Sequence, residues 1–316
     1  MATHKPHVVV VGSSNTDMVI AGKTLPRPGQ TLTNGAFYSA AGGKGANQAV
    51  AAARCGAKRA RVSFVGAFGD DDFGRAAARG LLADGIDCRG SVSIKKTPSG
   101  VALIFVGGDG ENMIAVAPGA NDALQRSHIK AARSMIKNAD VLLTQLETPP
   151  ATVSEALSIA RSCGVRTILN PAPAPAKRPP RSLLANVDIL TPNETEFAAI
   201  TGVEMKGARG EAAARRLART VGEALIVTLG VKGVRVYSRD GEPYAVKAYK
   251  VKAIDAVAAG DAFSGSLALR LAEGAGLAEA IRFASAVAAI SVTRRGAQPS
   301  LPSRREVNAF LKKGGR

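Results

Sequence analysis

Val8 to Val11 are four consecutive valines, closed by Gly12. Successive side chains of a strand point to opposite faces, so a run with no polar residue has to be covered on both. The run therefore reads as a buried parallel strand. The rest of the chain supplies the cover. Strand-like runs at 60–68, 139–145, 167–170, 187–190, 224–229 and 246–254 alternate with helical patterns at 46–54, 71–82, 128–138, 152–163, 211–220, 262–273 and 277–293. This alternation predicts a doubly wound, Rossmann-like α/β fold, a mostly parallel sheet flanked by helices. At 316 residues, 1–316 reads as one domain with an insert.

Composition removes several function classes. The formal net charge is +17, but the basic residues are spread out, densest at Lys58-Arg59-Ala-Arg61, Lys177-Arg178-Pro-Pro-Arg181 and the tail from Arg304. No nucleic-acid motif accompanies them, and with no tryptophan and 4% aromatics there are no stacking platforms. No nucleic-acid partner is expected. No apolar run is long enough to span a bilayer, and the first residues lack a secretory layout, so no membrane association is expected. Three scattered cysteines, Cys55, Cys88 and Cys163, fit reduced thiols in the cytoplasm. His4, His7 and His128 support neither a triad nor a histidine metal site.

The stretch Asp255-Ala-Val-Ala-Ala-Gly-Asp261 lies between the strand-like run 246–254 and the helical pattern 262–273. Small residues at Ala258, Ala259 and Gly260 let backbone N–H groups point outward at a helix start, where they form an anion site. Asp261 beside that site either caps the helix or accepts a proton from a hydroxyl that attacks a phosphate. The second aspartate, Asp255, favours the chemical reading.

Other candidates lie at predicted strand ends, where ligands bind in open α/β sheets. Asn15 and Asp17 follow Gly12-Ser-Ser and form either a polar turn or a grip on sugar hydroxyls. Gly42-Gly-Lys-Gly-Ala-Asn47 opens a helix of small residues. Its spacing is not that of a Walker A loop. Gln145-Leu-Glu147 puts a carboxylate at a strand end. Thr191-Pro-Asn-Glu-Thr-Glu196 can be wholly a helix cap, through Asn193 or Thr195. Thr228-Leu-Gly-Val-Lys-Gly233 reads as a hairpin turn. The segment 18–41 reads as a hairpin-like excursion from the main sheet, and 97–118 as a hairpin turning at Gly107-Gly-Asp-Gly110.

These residues carry a resemblance. The Asp255–Gly265 stretch resembles the second signature of the PfkB-type carbohydrate kinases. Within that family the chain resembles the ribokinase branch from end to end, including the Gly42–Asn47 loop, Asn193-Glu-Thr-Glu196 and Thr293-Arg-Arg-Gly-Ala-Gln-Pro-Ser300. The resemblance implies ATP-dependent phosphorylation of D-ribose at O5. Asp261 would be the base and Ala258, Ala259 and Gly260 the anion hole. Asn15, Thr16, Asp17, Gly43, Lys44, Gly45, Ala46, Asn47 and Glu147 would hold the sugar. ATP would meet Asn193, Thr228, Leu229, Gly230, Val231, Lys232, Gly233, Gly260, Asp261 and Ser285. Glu196 would act on Mg²⁺ through water. Asp255, Val257, Ser291, Arg294, Gly296 and Ser300 would hold K⁺. The resemblance also implies that 18–41 and 97–118 form a small β-sheet lid. Its bare face needs a partner and would also pair two subunits, a homodimer through the lid. Other sugars of the family, 2-deoxyribose or fructose, are the alternative, and a non-catalytic sugar- or nucleic-acid-binding protein a remote one. Three positions depart from the branch, which usually has Thr at 256 and 262 and Asn at 264. Here they are Ala256, Ala262 and Ser264.

Overall fold

A computed structural model describes residues 4–33, 35–108 and 111–315. The valines belong to the strand His7–Val11, buried along its whole length. Val8 and Val10 enter one core cluster, with the helices Lys44–Gly56, Ala259–Ala272 and Leu277–Ser291. Val9 and Val11 enter the other, with Pro150–Ser162, Glu194–Thr201 and Gly207–Ala218. Both faces of the run are thus covered, as its composition requires.

The main sheet has eight strands in the order Tyr244–Val246, Val234–Ser238, Ala224–Thr228, Ile189–Leu190, Arg166–Leu169, Val141–Thr144, His7–Val11, Arg61–Val65. Pairing is parallel from Arg61–Val65 to Ala224–Thr228 and antiparallel in the hairpin beyond. His7–Val11 has Arg61–Val65 on one side and Val141–Thr144 on the other. The order reverses there, which opens a crevice at the strands' C-terminal ends.

The run 246–254 is not a strand. Only Tyr244–Val246 pairs. Beyond it the N–H groups of Ile254 and Asp255 turn to the carbonyl of Val292, at 2.7 and 3.2 Å. Alternation sets which way side chains face, and does not supply a strand to pair with. The run 60–68 divides as well. Arg61–Val65 stays in the main sheet, while Ala67–Gly69 pairs with Val92–Ile94. The switch occurs at Gly66, whose carbonyl accepts from Val92 N–H at 3.0 Å. The pattern 128–138 is two short helices, Arg126–Ala131 and Arg133–Lys137.

The segments expected to form the lid make a second, smaller sheet, in the order Ala36–Gly42, Asn15–Ala21, Gly100–Val106, Asn112–Ala117. It begins at Asn15 rather than at 18, so Asn15, Thr16 and Asp17 lie in a strand and not in a turn. Asn34 and the hairpin tip Asp109-Gly110 fall outside the described residues. Asn15 pairs with Gly42 and Gly100, and Asp17 with Ala40 and Ala102. Asn15 and Asp17 therefore share one face, and Thr16 projects from the other with Met18 and Ile20. On that outer face Ile20, Phe37, Leu103 and Met113 are 41–64% exposed.

Candidate active site

The crevice between His7–Val11 and Val141–Thr144 is bridged by Glu147. Its Oε2 accepts from Ser13 Oγ at 2.5 Å and from the Lys44 N–H at 2.9 Å. One carboxylate thus joins the end of the first strand, the glycine loop and the end of the Val141–Thr144 strand. Asn121 performs the same task one layer out. Its Nδ2 donates to Asn15 Oδ1 at 2.7 Å and to Ser14 O at 3.1 Å, and its Oδ1 accepts from Ser14 N–H at 2.9 Å. This fixes which way the Asn15 amide faces.

The glycine loop lies hard against this strand. Gly43 has φ 87°, and a Cβ there would sit 2.6 Å from Asn15 N. A Cβ on Gly42 would meet both Asp17 carboxylate oxygens at 2.3 Å. Only a residue without a side chain allows that approach.

Asp261 is in the first turn of Ala259–Ala272 and is buried. Its Oδ2 accepts from Asn47 Nδ2 and its Oδ1 from Gln48 Nε2, both at 3.0 Å. The Asn47 Oδ1 is buried without a partner among the described residues.

Charge is concentrated here. Burial pushes the Asp17 carboxyl up to about 6, helped by Glu147 and Asp261 and opposed by Lys44. Burial also raises Asp261, against the pull of Lys44, Asn47 and Gln48, with Glu147 adding to the rise. For Lys44 burial works against the charge, but Asp261, Glu147, Glu196 and Asp17 outweigh it and hold its pKa above the ordinary value. Lys44 is the cation at the centre of four carboxylates.

At the start of the helix Ala259–Ala272 the chain offers backbone instead. Ala258 is the N-cap, left-handed at φ 59°. Among the described residues the N–H groups of Ala258, Gly260 and Asp261 have no acceptor, while Ala259 N–H reaches Ala256 O at 3.3 Å. A Cβ on Gly260 would meet nothing within 4 Å. Asp255 is not aimed at an anion. Its Oδ1 accepts from Val257 N–H and its Oδ2 from Gly296 N–H, both at 2.9 Å, stapling two loops. The carbonyls of Asp255, Val257, Arg294 and Gly296 on those loops accept no hydrogen bond among the described residues. Ser291 O accepts from Arg294 N–H at 3.0 Å, and Ser300 Oγ donates to Ala297 O at 2.7 Å.

Asn193 caps the helix Glu194–Thr201, and Thr195 does not. Glu196 closes the capping box, its two oxygens accepting from Asn193 N–H at 2.9 Å and Asn193 Nδ2 at 3.0 Å. Burial raises its pKa. Asn193 bridges to Thr228, which places the Thr228–Gly233 turn beside it. Val231 is 94% exposed on that turn. Ser285 lies on Leu277–Ser291, its buried hydroxyl without a partner among the described residues. No group of three or more His, Cys, Asp or Glu side chains that could hold a metal occurs among the described residues.

Contacts therefore unite Asn15, Asp17, Gly43, Lys44, Asn47, Glu147 and Asp261. Thr16 points to the other side of its strand. No direct contact ties Ser285 or Val231 to this group. Sequence reasoning missed Ser13, Gln48, Asn121 and Asn170, whose Oδ1 accepts from Gln48 Nε2 at 3.0 Å. Gln48 carried one signal, a polar residue next to Asn47 on a helix whose other residues between Gly45 and Ala53 are small and apolar.

The site pairs a buried carboxylate with free backbone donors, the apparatus for moving a phosphoryl group onto a hydroxyl. The chain belongs to the pfkB family of carbohydrate kinases, whose model matches residues 5–304. It is 43% identical to a ribokinase of Haemophilus influenzae over 96% of this chain and 98% of that one. It is 36% identical to a deoxyribokinase of Salmonella typhi, again over 96% and 98%. Its structure matches that of Arabidopsis thaliana ribokinase complexed with ribose and ATP with a TM-score of 0.89, at 31% identity over 98% of this chain and 99% of that one.

Proposed function

We propose that this chain transfers the γ-phosphoryl group of ATP to O5 of D-ribose. The observation that supports this most is Asp261. The carboxylate is buried, joined through Asn47 to the sugar side, and sits in the same turn as the unpaired N–H groups. Asn15, Asp17, Gly43, Asn47 and Glu147 grip the sugar, with Thr16, Lys44, Gly45 and Ala46 lending backbone and charge. Asp261 takes the proton of the 5-hydroxyl as its oxygen attacks the γ-phosphorus. The bond from that phosphorus to the bridging oxygen breaks and ADP leaves. The N–H groups of Ala258 to Asp261 receive the charge that builds on the phosphoryl oxygens. Asn193, Thr228 to Gly233 and Ser285 hold the nucleotide.

Both oxygens of Glu196 are engaged by Asn193, which fits a Mg²⁺ ion met through water. Such an ion would neutralise the phosphates. The free carbonyls of the stapled loops fit a K⁺ ion held by Asp255, Val257, Arg294 and Gly296, with Ser291 and Ser300 completing the set. The apolar outer face of the lid would be covered by a second copy of the chain. The three cysteines are free, which suits a cytoplasmic protein.

A coupled assay of ADP release on ribose, 2-deoxyribose and fructose, with and without potassium, tests the reading. Ribose should give the highest kcat/KM, and potassium should raise it. The deoxyribokinase relative makes 2-deoxyribose the competing reading, and a kcat/KM on it equal to or above that on ribose would overturn the substrate assignment. Asp261→Asn should lower kcat by about 10²–10⁴-fold and leave both Kd values nearly unchanged. Full turnover in that variant would remove the base.

A further inference from the structure

Gln48 is fully buried, and every polar atom of its amide is spoken for. Its Oε1 accepts from Gln145 Nε2 at 2.5 Å. Its Nε2 donates to Asp261 Oδ1 and to Asn170 Oδ1, both at 3.0 Å. Asn170 is itself oriented, because its Nδ2 donates to the Thr191 carbonyl at 2.9 Å. A backbone carbonyl has no alternative role as donor, so the direction of the relay is determined. Thr191 O sets Asn170, Asn170 sets Gln48, and Gln48 must turn an N–H toward Asp261. On the other flank Gln145 has room only because residue 12 is glycine, where a Cβ would lie 2.1 Å from its Oε1.

The contrast with the neighbouring residue assigns the role. Asn47 also donates to Asp261 but keeps a buried oxygen without a partner, which suits a residue that meets a ligand. Gln48 has nothing left to offer a ligand. We propose that Gln48 is a positioning residue, braced by Asn170 and Gln145, that holds the Asp261 carboxylate in line for proton transfer. The proposal rests on the reading of Asp261 as the base.

The physical logic has two parts. Asp261 sits on a helix turn, but its carboxylate takes its direction from the ends of the strands Val141–Thr144, Arg166–Leu169 and Ile189–Leu190, relayed through one amide. An N–H on Oδ1 also favours the ionised form, the form that accepts a proton, against the opposing effect of burial. The charged groups around it are Lys44, Glu147, Asp17 and Glu196, and no substitution below alters them.

The test compares Gln48→Met, Asn170→Ala, the double variant and Asp261→Asn, each checked for its Tm. Gln48→Met keeps the volume and removes the donor. Its kcat should fall roughly 10- to 100-fold with the sugar KM within about twofold. The acid limb of its kcat–pH profile should move to higher pH, since loss of the N–H favours protonation. Asn170→Ala should shift both in the same direction by less, and should add nothing in the Gln48→Met background, because it acts only through Gln48. An unmoved pH profile, or a loss expressed in KM alone, overturns the proposal. So does full additivity of the two losses. If Gln48→Met fails to fold, Asn170→Ala carries the same test. Turnover retained in Asp261→Asn would instead overturn the base, so the two failures are distinct.

Discussion

The two halves of the site are built from different material. On the side proposed for the sugar, side chains from distant elements lock one another, Asn15 to Asn121 and Ser13 to Glu147. On the side proposed for the phosphate, from Ala256 to Gly260, no side chain is larger than Val257, and the groups on offer are backbone N–H. The difference suits what each half is proposed to recognise. Hydroxyls of a sugar differ only in direction, and donors and acceptors braced on both sides are needed to tell them apart. Phosphoryl oxygens are alike and charged, and any well-placed N–H at a helix start will serve.

That contrast can be broken from either side. Gly260→Val should have the largest effect. Its Cβ meets no protein atom within 4 Å, so Tm should hardly change, yet it would fill the space proposed for the phosphoryl group. A loss of about 10²-fold in kcat/KM for ATP is expected in steady-state assays. Asn121→Ala acts on the other half. Freeing the Asn15 amide removes about 1–2 kcal/mol of held orientation. The sugar KM should rise about tenfold, with the nucleotide KM unchanged. A change of the same size in both would show that the halves are not independent.

Acidity gives a smaller, graded effect. Asp17 has its pKa raised to about 6. It is an acceptor above that pH and gains a proton as pH falls through it. The sugar KM should therefore rise below about pH 6, and the inflection should vanish in Asp17→Asn. Ala258→Gly should have the smallest effect. It relieves a left-handed alanine, so Tm should rise, by no more than about 1 kcal/mol of stability, while kcat falls slightly as the turn loosens.

Much of the architecture was readable before any coordinates. Four valines demanded two covering layers and have them, and a helix cap was expected at Asn193 or Thr195, of which Asn193 forms it. Asp261 was visible because its small neighbours precede it directly. What could not be read is pairing at a distance. Gln48 and Asp261 stand 213 positions apart, and Ser14 and Asn121 stand 107 apart, with no local pattern linking either pair. The run 246–254 failed beyond Val246 for the same reason, since alternation names no neighbour. Asn15 to Asp17 look like a polar turn because their hydrophobic continuation, Met18 to Ile20, only becomes a strand once Gly100–Val106 arrives beside it.

The strand Asn15–Ala21 links two surfaces of the molecule. One end carries the amide and carboxylate that point into the crevice, and the other carries Ile20 beside Phe37 on the bare outer surface. Paired on both sides, it is a braced strand rather than a loose tether. If its inner end holds the sugar as proposed, a load on the outer end would reach that grip along a single element. Damage at Ile20 or Phe37, remote from any hydroxyl, would then look like weakened affinity.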